Sequence, residues 1–356
     1  METKMVRIDA NALMDESVKQ ALQNAGEVIK RGGLVAFPTE TVYGLGGDAL
    51  NPESSKKIYE AKGRPSDNPL IVHIADMDKL GAITKEVPNA AKKLAEAFWP
   101  GPLTMIMQKS DQVPLQTTGG LQTVAVRMPS HPVALEFIRS AGGYVAAPSA
   151  NISGKPSPTK AKYVAQDMNG RIDLIIDGDG VDIGLESTIV DLTGEVPMIL
   201  RPGYITLEML EQVLGTVEID CAIVDVNSKQ APKAPGMKYR HYAPKGELVL
   251  VEGEAESVLA YINAQTKLHK QRGEKTGIIG TSEMASRYEA DVIKIAGSRD
   301  DEEAIARQLY NFLREFDDEE VAFMYAESFS DKGIGQAIMN RMLKAAGHKI
   351  MKVDKE

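Results

Sequence analysis

The hydrophobic positions of residues 16–33, ESVKQALQNAGEVIKRGG, recur every three to four residues. Val18, Leu22, Ala25 and Ile29 fall on one face of a helix with this period, and a Gly-Gly pair ends it. NPESSKKIYEAKGR predicts a second helix, in which Asn51 is the cap and a proline occupies the first turn. NAAKKLAEAFWPG predicts a third helix, which ends at a Pro-Gly pair.

Short apolar runs bounded by glycine, proline and polar residues separate these helices. LVAFPT and NPLIVHIA predict strands. Further predicted strands, with interspersed helices, follow in the order LTMIMQ, TVAVRMP, VALEFIRSAGG, YVAAPSAN, RIDLIIDGD, STIVDLTG and PMILRPG. Several strands with interspersed helices are typical of a mixed α/β domain, which we predict over residues 1–212.

From residue 245 onward the pattern becomes a simple alternation of strands and helices. The predicted strands are GELVLVEG, KTGIIGT, DVIKIAG and VAFMYAES, and the predicted helices are AESVLAYINAQTKLHKQRG, DDEEAIARQLYNFLREFDD and GIGQAIMNRMLKAAGHKI. This alternation indicates a small parallel sheet with helices on its faces. The predicted fold class is therefore α/β, with a mixed domain followed by a small parallel α/β domain over residues 245–356.

Residues 213–244 lack clean periodicity and contain Ala-Pro breaks at 231–232, 234–235 and 243–244. An interdomain spacer is the simpler interpretation of such a composition. The row MKYRHY at 237–242 is unusually aromatic and cationic for a spacer. The alternative is a linker that lies across a site.

Composition and charge exclude several classes of function. A length of 356 residues favours two domains. No apolar run approaches the ~20 residues of a membrane span, and the N-terminus lacks a signal-peptide core, so we predict a cytoplasmic protein without membrane contact. With Cys221 as the only cysteine and no HxxxH or HExxH pair, we expect no disulfide and no dedicated metal site. The net charge of −9 argues against a broad nucleic-acid surface but allows a local cationic pocket.

Four polar stretches rich in glycine and proline adjoin strongly apolar strands. They are FPTETVYGLGGDA at 37–49, KGRPSDNPLIVHI at 62–74, VAVRMPSH at 124–131 and AAPSANISGKPSPT at 146–159. Glycine amides can approach a ligand closely, and the cations Lys62 and Arg64 can bind phosphate. Arg127 ends an apolar strand, which requires a ligand or a carboxylate such as Glu40 or Asp48 beside it.

Each stretch by itself has a simpler explanation. Such clusters are most often turns, and Lys62 and Arg64 could complement a helix dipole. His73 could be a hydrogen-bonded core histidine. The coincidence of four such loops at strand ends favours an anion- or nucleotide-binding α/β enzyme.

The motifs FPTETVYGLG, KGRPSDNPLIVHI, WPGPLT, VAVRMPSH, APSANISGKPSPT, ESTIVDL and ILRPG together resemble the threonylcarbamoyl-AMP synthase family, the Sua5/YrdC/YwlC proteins. The K-x-R pair of Lys62 and Arg64 and the S-x-N triplet of Ser149 and Asn151 are hallmarks of that family. The linker APGMKYRHYAP and the trailing domain resemble its two-domain Sua5 branch.

The resemblance implies a YrdC-like first domain, a Rossmann-like second domain and a nucleotidyltransferase activity. Family members condense L-threonine, bicarbonate and ATP to threonylcarbamoyl-AMP and pyrophosphate, with Mg²⁺ carried by the ATP and no bound prosthetic group. Downstream transferase machinery then forms N6-threonylcarbamoyladenosine (t6A) at position 37 of tRNAs that read ANN codons. We expect contact of this chain with tRNA to be weak or indirect.

The resemblance also implies roles for residues that match the family pattern. Lys62 and Arg64 would be catalytic, and Arg127 would bind the threonine carboxylate. The ATP-binding residues would be Arg64, Asn68, Thr123, Ser149, Ser157, Arg201 and Tyr239. The L-threonine-binding residues would be Thr41, His73, Arg127, Ala147 and Ser187. Tyr239 in the linker would close over the nucleotide as a lid.

Three alternative functions differ in how well the sequence fits them. An RNA-binding module is disfavoured by the acidic charge and by the lack of interleaved cations and aromatics. A carbamoyl transferase of the hydrogenase-maturation type needs Cys-rich zinc modules, which a single cysteine excludes. A structural or regulatory role fits residues 245–356, where no motif indicates chemistry.

Overall fold

The structure, a computed structural model, describes residues 2–223 and 241–353. These residues form two compact units. The first comprises residues 2–153 and 157–223, and the second comprises residues 154–156 and 241–353.

The first unit alternates helices and strands. Its elements are β1 (Lys4–Arg7), α1 (Glu16–Lys30), β2 (Val35–Phe37), β3 (Gly44–Asp48), α2 (Pro52–Lys62), β4 (Ile71–His73), α3 (Leu80–Ile83), α4 (Asn89–Phe98), β5 (Leu103–Gln108), β6 (Thr123–Arg127), α5 (Pro132–Ser140), β7 (Val145–Ala147), α6 (Ala161–Met168), β8 (Leu174–Asp177), β9 (Thr188–Asp191), β10 (Met198–Arg201), α7 (Leu207–Leu214) and β11 (Glu218–Ile219).

The strands of this unit form one mixed sheet. Within the described residues it has eleven strands in the order β1-β8-β2-β3-β7-β4-β6-β5-β9-β10-β11. Strands β4 and β6 run parallel, and β5 runs antiparallel to β6. Strand β9 runs parallel to β5 and antiparallel to β10. The predicted mixed α/β architecture is confirmed.

Local sequence signals set the ends of the predicted helices. In α1 the residues Leu22, Ala25 and Ile29 are buried, as the period of the apolar positions predicts. Helix α2 begins after Asn51, whose side chain accepts a hydrogen bond from Glu53 N at 3.0 Å. It ends at Gly63, whose φ of 62° is a left-handed conformation that favours glycine.

The glycine-rich part of FPTETVYGLGGDA is a strand rather than a ligand-binding loop. Gly44 to Asp48 form β3, which pairs with β2 and β7. A Cβ atom on Gly46 would lie 2.8 Å from Val145 Cγ1, so this glycine allows the strands to pack closely. The expectation that these glycine amides approach a ligand is therefore wrong for β3.

The predicted domain boundary at residue 212 falls inside α7 (Leu207–Leu214). Leu210 of this helix is buried in the core of the first unit, and β11 pairs with β10 in parallel. The first unit therefore continues past residue 212. Residues 224–240 of the predicted linker, with Tyr239, lie outside the described residues.

The two faces of the central strands differ in what they bury. Along β6, Val124 and Val126 point into the large hydrophobic core of the unit. Ala125 points the other way and belongs to a small apolar cluster with Ile71, Ile106, Ile189 and Leu200. Because side chains alternate along a strand, Thr123 and Arg127 share the face of Ala125. We call this surface the site face.

The second unit is a parallel α/β fold. Its elements are β12 (Glu247–Gly253), α8 (Ala255–Gln271), β13 (Thr276–Gly280), β14 (Val292–Ile295), α9 (Glu302–Asp318), β15 (Phe323–Glu327), α10 (Gly333–Ala345) and β16 (Ile350–Val353). Within the described residues the strand order is β14-β13-β15-β12-β16, and every pairing is parallel. The predicted parallel-sheet fold of this domain is confirmed.

Candidate active site

A polar row crosses three neighbouring strands on the site face. His73 at the end of β4 pairs in register with Arg127 at the end of β6. Arg127 in turn pairs with Thr104 of β5. Residues directly opposite one another in a sheet point to the same face, so the imidazole, guanidinium and hydroxyl groups are neighbours.

The guanidinium of Arg127 is held on three sides by this unit. Its Nη1 donates to Thr41 Oγ1 at 2.8 Å, and its Nε donates to Gly101 O at 3.3 Å. Its Nη2 lies 2.7 Å from Glu40 Oε1, and both side chains are 4% exposed. The buried charge at the end of an apolar strand thus has the carboxylate neighbour that burial requires. The sequence offered Glu40 and Asp48 as carboxylate partners of Arg127, and the structure shows Glu40 in that position.

Ser187 and Arg201 extend the row across β9 and β10. Thr104 Oγ1 and Ser187 Oγ are 2.7 Å apart. Arg201 donates from Nε to Ser187 O and from Nη2 to Ser187 Oγ, both at 3.0 Å. A β-bulge between Ile199 and Arg201 sets Arg201 opposite Ile189, and therefore on the site face.

His73 is neutral in this environment. Burial, together with the nearby charge of Arg127, lowers its pKa from 6.5 to about 3. Its Nδ1 lies 3.1 Å from Ile71 O. The core-histidine interpretation and the ligand-binding interpretation are compatible here, because the ring is both hydrogen-bonded and beside Arg127.

Lys62 joins α2 to the S-x-N loop that follows β7. The side chain is 2% exposed, and its Nζ donates to Ser149 O and, at 2.6 Å, to Asn151 O. Ser149 Oγ donates to Asn151 Oδ1 at 2.5 Å. The K-x-R and S-x-N motifs therefore meet directly, and in this structure the lysine ammonium is directed at loop carbonyls.

Arg64 and Asn68 lie in the turn between α2 and β4. Arg64 Nη2 donates to Pro69 O at 3.2 Å and to Asn68 O at 3.4 Å. Asn68 is buried, and its Oδ1 has no hydrogen-bond partner within the described residues. A buried amide oxygen without a hydrogen bond costs free energy. Asn68 Oδ1 can therefore accept a hydrogen bond from a ligand.

Two of the sequence-selected loops are bonded to each other along their backbones. Tyr43 N donates to Pro158 O at 2.9 Å, Leu45 N donates to Pro148 O at 2.8 Å, and Ala150 N donates to Tyr43 O at 2.8 Å. These bonds hold Ser149 and Thr41 on one connected scaffold. Ser157 Oγ on the same loop donates to Glu186 Oε1 at 2.6 Å.

The strand register places Ala147 and Thr123, two further residues that the sequence assigns to the site. Ala147 of β7 pairs with Ile71 of β4, and Thr123 begins β6. Both share the site face, so Thr123, His73, Arg127, Ala147 and Arg201 lie on one side of the sheet. Among residues 2–223 and 241–353, no group of three His, Cys, Asp or Glu side chains could hold a metal ion. No helix in that part of the chain is long and apolar enough to cross a membrane.

Sequence reasoning did not select three residues of this network for roles of their own. Thr104 and Glu186 bind Ser187 and Ser157, and Glu40 contacts Arg127. Thr104 and Glu186 lie in the motifs WPGPLT and ESTIVDL, but their partners are distant in sequence, so the motifs did not indicate these contacts. Glu40 did carry a local signal, as a carboxylate inside the apolar run FPTETVYG.

Comparison with known proteins covers nearly the whole chain. A family model described as telomere recombination matches residues 27–203, and one described as the C-terminal domain of threonylcarbamoyl-AMP synthase matches residues 205–347. The threonylcarbamoyl-AMP synthase of Bacillus subtilis is 48% identical over 353 residues, which are 99% of this chain and 100% of that protein. The chain belongs to the threonylcarbamoyl-AMP synthase family.

Membership of the threonylcarbamoyl-AMP synthase family confirms the resemblance seen in the motifs. The Pyrococcus abyssi synthase is 50% identical over 329 residues, covering 92% of this chain and 95% of that protein. The chain is accordingly an enzyme of the nucleotidyltransferase type.

Solved structures of the family share the fold. The structure of P. abyssi Sua5 complexed with L-threonine has 47% identity to this chain and a TM-score of 0.91. The match covers 99% of this chain and 100% of the P. abyssi chain. A double variant of the same Sua5 gives a TM-score of 0.92 with 46% identity and covers 99% of each chain.

The geometry suits a reaction driven by positioning and electrostatics. The described network holds cations on buried hydrogen-bonded scaffolds and presents several hydroxyl groups on one face. Such groups stabilise developing negative charge without having to reorganise during the reaction. A nucleophile from the protein is unnecessary where the substrates supply one.

Proposed function

We propose that this enzyme condenses L-threonine, bicarbonate and ATP to threonylcarbamoyl-AMP and pyrophosphate. The product would feed t6A formation at position 37 of ANN-decoding tRNAs, through downstream transferase machinery that this chain serves in the cytoplasm. The observation that supports the substrate best is the buried row of His73, Arg127 and Ser187 on one face of a sheet whose fold matches a threonine complex of Sua5.

The amino-acid end of the site would lie over this row. Arg127 would bind the threonine carboxylate, because a guanidinium matches two carboxylate oxygens. Thr41, His73, Ala147 and Ser187 would surround the rest of the substrate. The hydroxyl of Ser187 and the neutral imidazole of His73 suit the polar and uncharged parts of threonine.

The nucleotide end would lie along the K-x-R and S-x-N motifs. Arg64 and Arg201 would neutralise phosphate charge, and Mg²⁺ would arrive with the ATP. The other ATP-binding residues would be Asn68, Thr123, Ser149, Ser157 and Tyr239. The two ends adjoin, because Ala147 ends β7 and Ser149 follows it by two residues.

Lys62 would act through the loop that it holds. Its ammonium bonds the carbonyls of Ser149 and Asn151, so a direct phosphate contact requires ATP to replace one of these acceptors. Either role leads to loss of activity when the lysine is removed. A change in ATP affinity with normal threonine affinity would place its role at the nucleotide end.

The chemistry would need no protein nucleophile. The threonine amine and bicarbonate form a carbamate, whose oxygen attacks the α-phosphate of ATP while pyrophosphate leaves. Carbamate and triphosphate are both anions, so the site must neutralise charge and exclude water. The cations Arg64, Arg127 and Arg201 fulfil the first requirement.

Pyrophosphate release by the purified full-length protein tests this function. We expect release from ATP to require both L-threonine and bicarbonate, and to fall to background when either is omitted. Replacement of L-threonine by L-valine, which lacks the hydroxyl group, serves as the matched substrate control. Release that is independent of threonine would refute the proposal.

A further inference from the structure

Glu40 is a buried carboxylate at the centre of the candidate threonine site. It lies between Thr39 and Thr41 and is 3% exposed. Its backbone is fixed, because Glu40 O accepts a hydrogen bond from Ile183 N at 2.8 Å. The side chain is buried beside Arg127, with Oε1 2.7 Å from Arg127 Nη2.

The Glu40 carboxylate is only partly satisfied by the protein. Oε1 lies 2.7 Å from Arg127 Nη2, but that contact lacks the alignment of a hydrogen bond. Oε2 is buried, and neither oxygen has a hydrogen-bond partner among residues 2–223 and 241–353. A buried carboxylate normally accepts several hydrogen bonds, so this geometry indicates a missing donor.

A free α-amino acid carries the complementary pair of charges. Its carboxylate and its ammonium group are bonded to the same α-carbon. The first needs a cation and the second needs an anion, so the two protein charges must lie close together. Arg127 and Glu40 offer these two charges side by side in a buried setting, where each counts for more than in water. Thr41 adjoins Glu40 in sequence and bonds Arg127 at 2.8 Å, which completes the same contact surface.

We propose that Glu40 Oε2 binds the α-ammonium group of the amino-acid substrate and accepts its proton before the carbamate forms. This inference rests on the proposed function, which assigns the carboxylate of threonine to Arg127. In the step itself one N–H bond of the ammonium breaks and the proton moves to Oε2. The nitrogen keeps the electron pair, which then attacks the carbon of bicarbonate or of the carbon dioxide derived from it.

The Glu40 carboxylate acts electrostatically on the buried imidazole of His131. His131 lies close enough for Glu40 to oppose the effect of burial, which lowers the pKa of the imidazole. His131 Nδ1 is buried and has no hydrogen-bond partner among the described residues. Asp182, which is exposed, also acts on His131. Arg127 contacts Glu40 directly, and the titration of His131 is influenced by Glu40 and by Asp182.

A purely structural role for Glu40 makes a different prediction. If the carboxylate only holds Arg127, its replacement weakens threonine binding without changing how the rate depends on pH. If it accepts the ammonium proton, the variant depends on threonine that is already deprotonated in solution. The pH profile therefore separates the two roles.

The test compares wild-type enzyme with Glu40→Gln, which keeps the size of the side chain. Pyrophosphate release is measured at subsaturating threonine from pH 7 to pH 8.5, in the presence of bicarbonate. At pH 7 we expect the variant to be at least about a hundredfold slower, as for loss of a general base. The ratio of variant to wild-type rate should rise about tenfold per pH unit, because the fraction of free amine rises by that factor. Glu136→Gln, which alters an exposed partner of Arg139, should match wild type throughout.

The outcomes are distinguishable. A ratio that stays constant with pH would overturn the role of Glu40 and leave the proposed function standing. Wild-type enzyme without threonine-dependent release would overturn the proposed function, and this inference with it.

A second measurement needs no variant and covers the case in which Glu40→Gln does not fold. Calorimetry compares L-threonine with 2,3-dihydroxybutanoate of the same configuration, in which a hydroxyl group replaces the ammonium group. A carboxylate that faces the ammonium predicts at least about thirtyfold weaker binding of the hydroxy acid, since a charge-assisted hydrogen bond is lost. Equal affinity for the two compounds would overturn the proposal.

Discussion

His73 and Arg127 lie directly opposite each other in the parallel register of β4 and β6, so both side chains leave the sheet on the same face. The burial of the ring and, after it, the guanidinium charge lower the pKa of the histidine and keep it neutral. The pair thereby presents one fixed cation and one uncharged polar ring to the space above the sheet. This combination suits a small zwitterion with a polar side chain.

The neutral state of His73 predicts a specific dependence of stability on pH. Its pKa is lowered to about 3 in the folded protein, so the unfolded chain binds more protons between pH 3 and about 6.5. The free energy of unfolding should therefore be highest above pH 6.5 and fall by up to about 1.4 kcal/mol per pH unit below it. His73→Gln should lack this part of the fall in urea unfolding at pH 7, 6 and 5. Parallel curves for the two proteins would contradict the assignment.

Arg127→Lys keeps the charge but loses the planar fork. A single ammonium group cannot contact Thr41, Gly101 and Glu40 and also bind a carboxylate with two hydrogen bonds. We expect KM for threonine to rise about 10- to 100-fold, which corresponds to about 1.5–3 kcal/mol for a hydrogen bond to a charged group. The control Arg139→Lys changes a half-exposed arginine and should leave KM unchanged. An unchanged KM in Arg127→Lys would place the substrate carboxylate elsewhere.

Arg64→Ala should abolish adenylate formation while the protein stays folded. The residue is half-buried in a turn and donates to the carbonyls of Asn68 and Pro69. We expect pyrophosphate release at saturating substrates to fall at least about a hundredfold, because a cation that stabilises phosphate charge is lost. Thermal unfolding monitors the fold, and Lys56→Ala on the exposed side of α2 is the matched control. An active Arg64→Ala enzyme would overturn the role given to this residue.

Glu327→Gln should destabilise the second unit. The carboxylate is 2% exposed and accepts hydrogen bonds from Thr281 N at 2.8 Å and Tyr288 OH at 2.7 Å, with Arg299 as its ion-pair partner. Loss of this charge should lower the free energy of unfolding by about 2–4 kcal/mol. Urea unfolding measures this free energy, and hydrogen exchange of the amides of β13 and β15 assigns the loss to the second unit. Glu256→Gln, which alters an exposed ion pair, should have no measurable effect, and equal stability of both variants would contradict the prediction.

Periodicity and end signals were enough to predict most elements of the fold. Helix α1, the Asn51 cap of α2 and strands β12 to β15 follow from apolar spacing and breaker residues. Strand β16 was not predicted, and the last predicted helix, which extended to Ile350, ends at Ala345. Strand β3 was missed because its glycines carry no apolar signal and pair only through neighbouring strands. The order of the strands depends on long-range pairing, which local patterns do not encode.

The candidate site was predicted as a set of residues but not as a network. Arg127 attracted notice as a cation after an apolar strand, and Glu40 was one of its two proposed partners. The contact of Lys62 with the Ser149 loop, and the bulge that turns Arg201 to the site face, depend on three-dimensional packing. No local pattern specifies either arrangement.

The fate of labelled bicarbonate tests the proposed reaction most directly. Purified enzyme is incubated with ¹³C-bicarbonate, L-threonine and ATP, and the products are analysed at once by mass spectrometry. We expect an adduct that contains AMP, threonine and one labelled carbon, formed in step with pyrophosphate. Pyrophosphate release without that adduct, or an AMP–threonine product free of label, would contradict the proposed reaction.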